Sequence, residues 1–431
     1  MVWFILLLGL VATALIGMPI GLGLALTGLA ILHFAAGGAE TLAVTAVWNV
    51  FTDFTFSAVP IYIFMGEILL VSGVSTRIYN AVAPFFQRIP GQLLHTNIVV
   101  CTMFGAVCGA STSTAAAVGS VAYPELRARG YSRPGVVATL AAGGTLGLLI
   151  PPSLSLLIYG ATQNVSIGRL FLAGILPGLM LAAMFMAAIY VISRRNPDLT
   201  PPGDAGIGWG KRLWGLARIW PFALLVFSVL GTMYLGLATA TEAAALGVVA
   251  AIVVGVFWGE LTPGKLWRAF RTATAVFGSI GLVVLGALVL AQSLSILGVP
   301  QQVMSSIAEL GLSKYAVLLL IVILYLVLGC FFDGISLMLM TLPLVFPVMM
   351  GVGFDPVWTG VIITIMIEIG MLTPPVGMNL FVLVAITNGE VNLAQAARAA
   401  LPYWILMLGG VAILTAIPGI ALLLPNLVMG Q

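Results

Sequence analysis

Apolar residues run through this chain in stretches far longer than one face of a soluble helix, and the polar residues gather in short clusters between them. In the first half, residues 2–35, 56–73, 134–164 and 169–193 form such stretches. A bilayer crossing needs about 20 apolar residues, somewhat fewer where the membrane is thin. Residues 2–35 are long enough for two short helices broken near Gly17 and Pro19, although one tilted helix fits the same stretch. The other three predict one crossing each. Residues 92–124 depart from the pattern. A small, polar centre from Gly109 to Thr114 separates two short apolar arms, with Arg88 before and Arg127 after. That arrangement predicts a re-entrant hairpin that enters and leaves on one side. One long helix with a small-residue packing face is the plainer alternative.

A second feature is out of place in lipid. "GLLIPPSLSLLIYG" carries Pro151 and Pro152 in its middle, and "GMLTPPVGMNLFVL" carries Pro374 and Pro375. Proline removes a backbone donor and clashes with the preceding helical turn. The two pairs lie 223 residues apart, as do Pro124 and Pro347, Gly130 and Gly353, and Tyr131 and Phe354. The chain therefore reads as a tandem repeat. Residues 1–205 hold the hairpin at about 92–124 and the break at Pro151–Pro152. Residues 206–431 hold a second hairpin at about 314–350, with Asp333, Gly334 and Ser336 at its tip, and the break at Pro374–Pro375. The polar stretch 194–212 is the joint.

Counting crossings gives an odd number in the first half, so the second half enters the membrane upside down. The expected fold is an all-α polytopic membrane protein of two inverted-topology repeats, with about ten transmembrane crossings and two re-entrant hairpins. Charge tests this count independently. Of the 16 basic residues, all but Arg169 and Lys314 fall in loops on one side, which the positive-inside rule assigns to the cytoplasm. The first hairpin then opens to the cytoplasm, the second to the periplasm, and both termini are periplasmic.

Composition agrees: 61% of residues are hydrophobic and 7% charged, where an ordinary soluble domain is about a quarter charged. The net charge of +3 is accounted for by orientation, and no nucleic-acid partner is expected. Cys101, Cys108 and Cys330 lie in apolar runs and set up no disulfide framework. No metal-ligand cluster, nucleophile elbow or phosphate loop occurs, so an enzyme is not expected.

The chemistry lies in the breaks. A helix broken within the membrane exposes carbonyls at one half-end and N–H groups at the other, and such ends are tolerated only against protein or a wet cavity. Carbonyls and hydroxyls there can ligate Na⁺, and the N–H end attracts an anion. The first break offers Gly143, Thr145, Gly147 and Ser153, and the second Gly370, Thr373, Gly377 and Asn379. Asp333, deep in an apolar segment, is either a site residue or the cap of the helix that follows it. Glu67 and Glu368 are the other embedded acids. Glu242 reads equally as a helix-start charge or a ligand. Residues 75–88 predict an amphipathic helix lying at the interface.

At "GASTSTAAAVGSVAYPELRARGY", "AAGGTLGLLIPPSLSLLIYG", "TATEAAALG" and "GMLTPPVGMNLFV" the chain resembles the large membrane subunit of TRAP transporters, the tripartite ATP-independent periplasmic carriers. The likeness spans essentially the whole chain. One departure is "TATEAAA" where the family usually reads "TPTEAAA". The resemblance implies sodium-coupled uptake of a small organic acid across the bacterial inner membrane by an elevator mechanism. It implies two partners besides the lipid bilayer: a small four-helix membrane subunit on a separate chain, and a soluble periplasmic substrate-binding protein. Carried over by position, one sodium set is Ser111 and Ser113 with Thr145 and Gly147. The other is Asp333, Gly334 and Ser336 with Gly370 and Thr373. Substrate is expected against Ser111, Thr112, Ser153, Ser336 and Asn379. A stand-alone sodium–carboxylate symporter, working without a binding protein, is the alternative.

Overall fold

The computed structural model describes residues 2–201, 208, 210, 214–215 and 217–430, and the joint expected at 205–206 lies outside them. Among the described residues, ten α-helices make up the first half: α1 (Val2–Ile16), α2 (Ile20–Phe34), α3 (Glu40–Phe51), α4 (Ala58–Val71), α5 (Val74–Phe86), α6 (Leu93–Cys108), α7 (Ser111–Ala128), α8 (Arg133–Leu149), α9 (Leu154–Gln163) and α10 (Ile167–Arg195). The second half contributes α11 (Trp220–Tyr234), which contains a π-helical turn, and α12 (Ala240–Phe257). Then follow α13 (Pro263–Ile296), α14 (Val299–Glu309), α15 (Lys314–Gly329), α16 (Gly334–Gly351), α17 (Pro356–Gly370), α18 (Met378–Ile386), α19 (Leu393–Ala416) and α20 (Gly419–Met429).

Among the described residues, six helices are long and apolar enough to cross a membrane, or up to seven if the bent α4–α5 pair is one span. Residues 2–35 form two helices, not one. They are separated at Gly17, whose φ of +70° suits a residue without a Cβ, and at Pro19. Helix α5 leaves α4 at a 67° bend through Gly73, again left-handed at φ +71°. It is the amphipathic element expected at 75–88. Glu242 is a helix-start charge: Thr239 and Glu242 form a reciprocal capping box at the start of α12.

Helices pack into two groups. One joins α1–α4 with α11–α13, and the crossing of α2 over α13 is its tightest seam. There Gly21 and Gly286 bring the backbones into contact, so that a Cβ on Gly286 would strike the Gly21 carbonyl. The other group joins α6–α10 with α15–α20. At its centre α8 and α17 are buried along nearly their whole lengths. Helix starts in this group recur at one spacing, with α7 at 111 and α16 at 334, and α8 at 133 and α17 at 356. The halves differ upstream, where α3 and α4 are separate helices and α13 is one helix of 34 residues.

Candidate functional site

Both expected hairpins are helix–turn–helix elements. Helix α6 ends at Gly109, left-handed at φ +67°, and α7 begins two residues later. Helix α15 ends at Gly329, and α16 begins after Asp333. Each hairpin rests on the helix that precedes a diproline break, through a glycine pair. A Cβ on Gly105 would lie 2.6 Å from the Gly147 Cα, and one on Gly370 would lie 2.7 Å from the Gly329 Cα. Gly147 and Gly370, expected as site residues, are thus first of all crossing points that admit no side chain.

The breaks expected at the prolines are present. Helix α8 ends at Leu149 and α9 starts at Leu154; α17 ends at Gly370 and α18 starts at Met378. Both diproline peptide bonds are cis. Helix α9 packs on α16 and α17, and α18 packs on α7 and α8, so each resumed half-helix leans on the opposite half of the chain. Asn379 is fully buried there and donates from Nδ2 to the Ser111 Oγ at 2.6 Å and to the Ala141 carbonyl at 3.3 Å. The mirrored junction is Ser155, whose Oγ lies 3.1 Å from the Thr364 Oγ1 and 3.6 Å from the Met338 sulfur.

Four half-helices therefore begin inside this group, and their N-termini differ. Helix α9 is capped: Ser153 Oγ accepts from the Leu156 amide at 3.2 Å and also donates to the Leu148 carbonyl freed by the break. Ser153, expected against substrate, has its hydroxyl committed to the break. Helix α16 is capped by Asp333, whose carboxylate accepts from the Ser336 amide at 3.1 Å. Capping is thus one role of Asp333. Helix α7 follows Ala110, and α18 follows Gly377, and neither has a side-chain cap. These two uncapped ends are the pair joined by Ser111 and Asn379. Helix N-termini carry partial positive charge and unpaired N–H donors, so this junction favours an anion. Thr112 and Ser113 are half-buried beside it. Asn379 Oδ1 is buried without a hydrogen-bond partner among the described residues.

Thr145 donates to the Ala142 carbonyl at 2.7 Å and Thr373 to the Ile369 carbonyl at 2.6 Å. A hydroxyl that donates keeps its lone pairs for a cation. Gly334 lies against Met371 and Ile367, and Ser336 is buried. Two features had no part in the expected site. Glu368 in α17 is fully buried, and neither carboxyl oxygen has a partner among the described residues. At another place Glu390, just beyond α18, meets Arg127, accepts from the Tyr123 hydroxyl at 2.9 Å, and lies 3.7 Å from Arg133. The crossed junctions had no repeated signal, since at the 223-residue spacing Ser155 corresponds to Met378 and Asn379 to Leu156. Nothing in the sequence pointed to Glu390 either.

Both the sequence and the fold have known counterparts. The family model for the tripartite ATP-independent periplasmic transporter, DctM component, matches residues 7–420. The chain belongs to that family. It is 33% identical over 412 residues to the C4-dicarboxylate TRAP transporter large permease protein DctM of Pseudomonas aeruginosa, covering 94% of this chain and 93% of that one. It is 31% identical to the isethionate TRAP transporter permease protein DctMQ of Oleidesulfovibrio alaskensis, covering 94% of this chain and 63% of that one. The solved YdaH transporter of Alcanivorax borkumensis shares the fold, with a TM-score of 0.65 at 16% identity over 90% of both chains. This DctM-family chain is a multi-pass membrane protein and a transporter component, and its relatives are permeases, not enzymes.

Proposed function

We propose that this chain is the large membrane subunit of a sodium-coupled uptake system for a small organic acid in the bacterial inner membrane. It works with a small membrane subunit and a periplasmic substrate-binding protein. The helix group α6–α10 with α15–α20 moves as an elevator against the remaining helices, and the two halves insert with opposite topology. Support for the acid comes from relatives named for C4-dicarboxylates and isethionate, and from the junction of uncapped helix ends. In this reading the substrate's carboxylate takes the N-termini of α7 and α18, beside Ser111, Thr112 and Asn379. Sodium takes the hydroxyls and carbonyls of the two expected sets, Ser111, Ser113, Thr145 and Gly147, and Asp333, Gly334, Ser336, Gly370 and Thr373. Asp333 supplies the negative charge at the capped end, where a cation is preferred to an anion.

The observation that carries this reading is the pairing of capped with capped and uncapped with uncapped N-termini across the halves. The test is uptake of a labelled C4-dicarboxylate into proteoliposomes holding this chain with its small subunit, with the binding protein outside. Asp333→Ala is expected to raise the sodium concentration for half-maximal uptake about tenfold, the loss of one charged ligand worth roughly 1.4 kcal/mol. Sodium dependence unchanged from wild type would reject the role of Asp333. Uptake that persists without the binding protein would reject the tripartite reading.

A further inference from the structure

At one end of the first helix group the chain forms a pocket that shares no residue with the candidate site. Helices α4 and α12 finish there, tied by the Glu260 amide donating to the Ser72 carbonyl at 2.8 Å. Helix α5 turns away there, and α11 starts there. The cavity measures about 700 Å³. Its working groups are Arg77 and Asn80 on α5, Trp258 just beyond α12, and Trp214, Arg218 and Trp220 at the approach to α11.

The Arg218 guanidinium lies 3.7 Å over the Trp214 ring, and that of Arg77 lies 6.0 Å over the Trp258 ring. An arginine held over an indole face keeps its in-plane N–H fork free, the geometry that binds phosphate oxygens in pairs. Neither arginine makes an ion pair among the described residues, while Glu260 at this end pairs with Lys265 at 3.5 Å. Among the described residues the pocket is therefore doubly positive and uncompensated. Its rim is aromatic: Trp214 and Trp220 are well exposed, as tryptophans are at the headgroup level of a bilayer. The helices that reach it carry exposed apolar side chains within about a turn or two of its tryptophans, Phe257 and Val253 on α12 before Trp258 and Leu224 on α11 after Trp220, a surface for acyl chains.

We propose that this pocket binds the phosphodiester headgroup of an anionic phospholipid, with Arg77 and Arg218 holding the phosphate and the tryptophans flanking it. Free phosphate shares the charge but not the acyl chains, and the exposed apolar side chains near the tryptophans favour the lipid. The anchor would fix α5 and the approach to α11 at the membrane surface.

The test is native mass spectrometry of the full chain, purified and titrated with equal amounts of phosphatidylglycerol and phosphatidylcholine. The wild type should retain phosphatidylglycerol preferentially. Arg77→Gln with Arg218→Gln should lower that preference about 25-fold, roughly fivefold per arginine. Arg218→Lys, which keeps the charge and loses the stacked fork, should fall between. Retained phosphatidylcholine and an unchanged elution volume show that the variants fold. A wild type without headgroup preference, or a double variant that keeps it, would overturn the proposal. So would displacement of the lipid by millimolar inorganic phosphate, which would make this a free-anion site, or a co-purifying polypeptide that covers the pocket.

Discussion

The two diproline breaks share a motif and differ in almost everything built on it. Pro151 and Pro152 are buried, whereas Pro374 and Pro375 are exposed. The first connector is short and ends at Ser153, which both caps α9 and takes up the Leu148 carbonyl. The second runs from Met371 to Gly377, and where the first has Ser153 the second, 223 residues on, has Val376. Helix α18 thus begins without a cap, after a left-handed Gly377 at φ +55°. One break is sealed by its own side chain. The other ties one donor, the Asn379 amide, to the Met371 carbonyl at 3.2 Å and has no side chain to cap the rest. The hairpins show the same contrast in reverse: α16 is capped by Asp333 and α7 is not. Crossing of the halves then places the two uncapped ends together and the two capped ends together. The lesson is that a repeated motif can be made polar by a few unrepeated residues.

Three substitutions sharpen that contrast. Gly147→Ala should do the most damage, because its Cβ would meet Thr114 Oγ1 at 2.9 Å and the Ala110 carbonyl at 3.2 Å in a packed crossing. A cost of about 1–3 kcal/mol is expected for such overpacking, read as a lower midpoint of thermal unfolding. Ser153→Ala removes a cap and strands a buried carbonyl, and should cost about 2 kcal/mol. It should change stability more than the substrate concentration for half-maximal uptake; the opposite pattern would mean that Ser153 touches substrate. Val376→Ser places a hydroxyl near the start of α18. Competition for the free N–H groups should weaken substrate affinity by about threefold, a few tenths of a kcal/mol to one. Tighter binding would show that those donors are not where the anion sits.

Much of this was legible in the chain itself. The hairpin tips at Gly109 and Asp333 and the breaks at both diprolines follow from local chemistry, polar or helix-breaking residues placed where lipid forbids them, and the amphipathic α5 follows from its alternation of polar and apolar positions. The split of residues 2–35 at Gly17 and Pro19 was visible, but apolar length alone allowed one helix or two. Helix α3 was not anticipated, because residues 40–51 carry Glu40 and Asn49 among their apolar positions. The pairing of N-termini was beyond reach for another reason. Ser153 and Val376 can be read from the sequence, but Ser111 and Asn379 meet only because the half-helices cross. The Arg127, Arg133 and Tyr123 cluster on Glu390 is likewise a product of tertiary packing, with partners more than 250 residues apart.

The most direct measurement sets Asn379→Asp beside Asp333→Asn in the reconstituted transporter and reads two half-saturation concentrations in each, for the acid and for sodium. A new carboxylate at the uncapped junction should oppose the substrate's own charge and weaken the acid by about 100-fold, roughly 2.7 kcal/mol, with sodium little changed. Loss of the charge at Asp333 should weaken sodium more than the acid. If Asn379→Asp instead strengthens sodium or leaves the acid untouched, or if both variants shift both ligands equally, the division of the site into an anion end and a cation end is wrong.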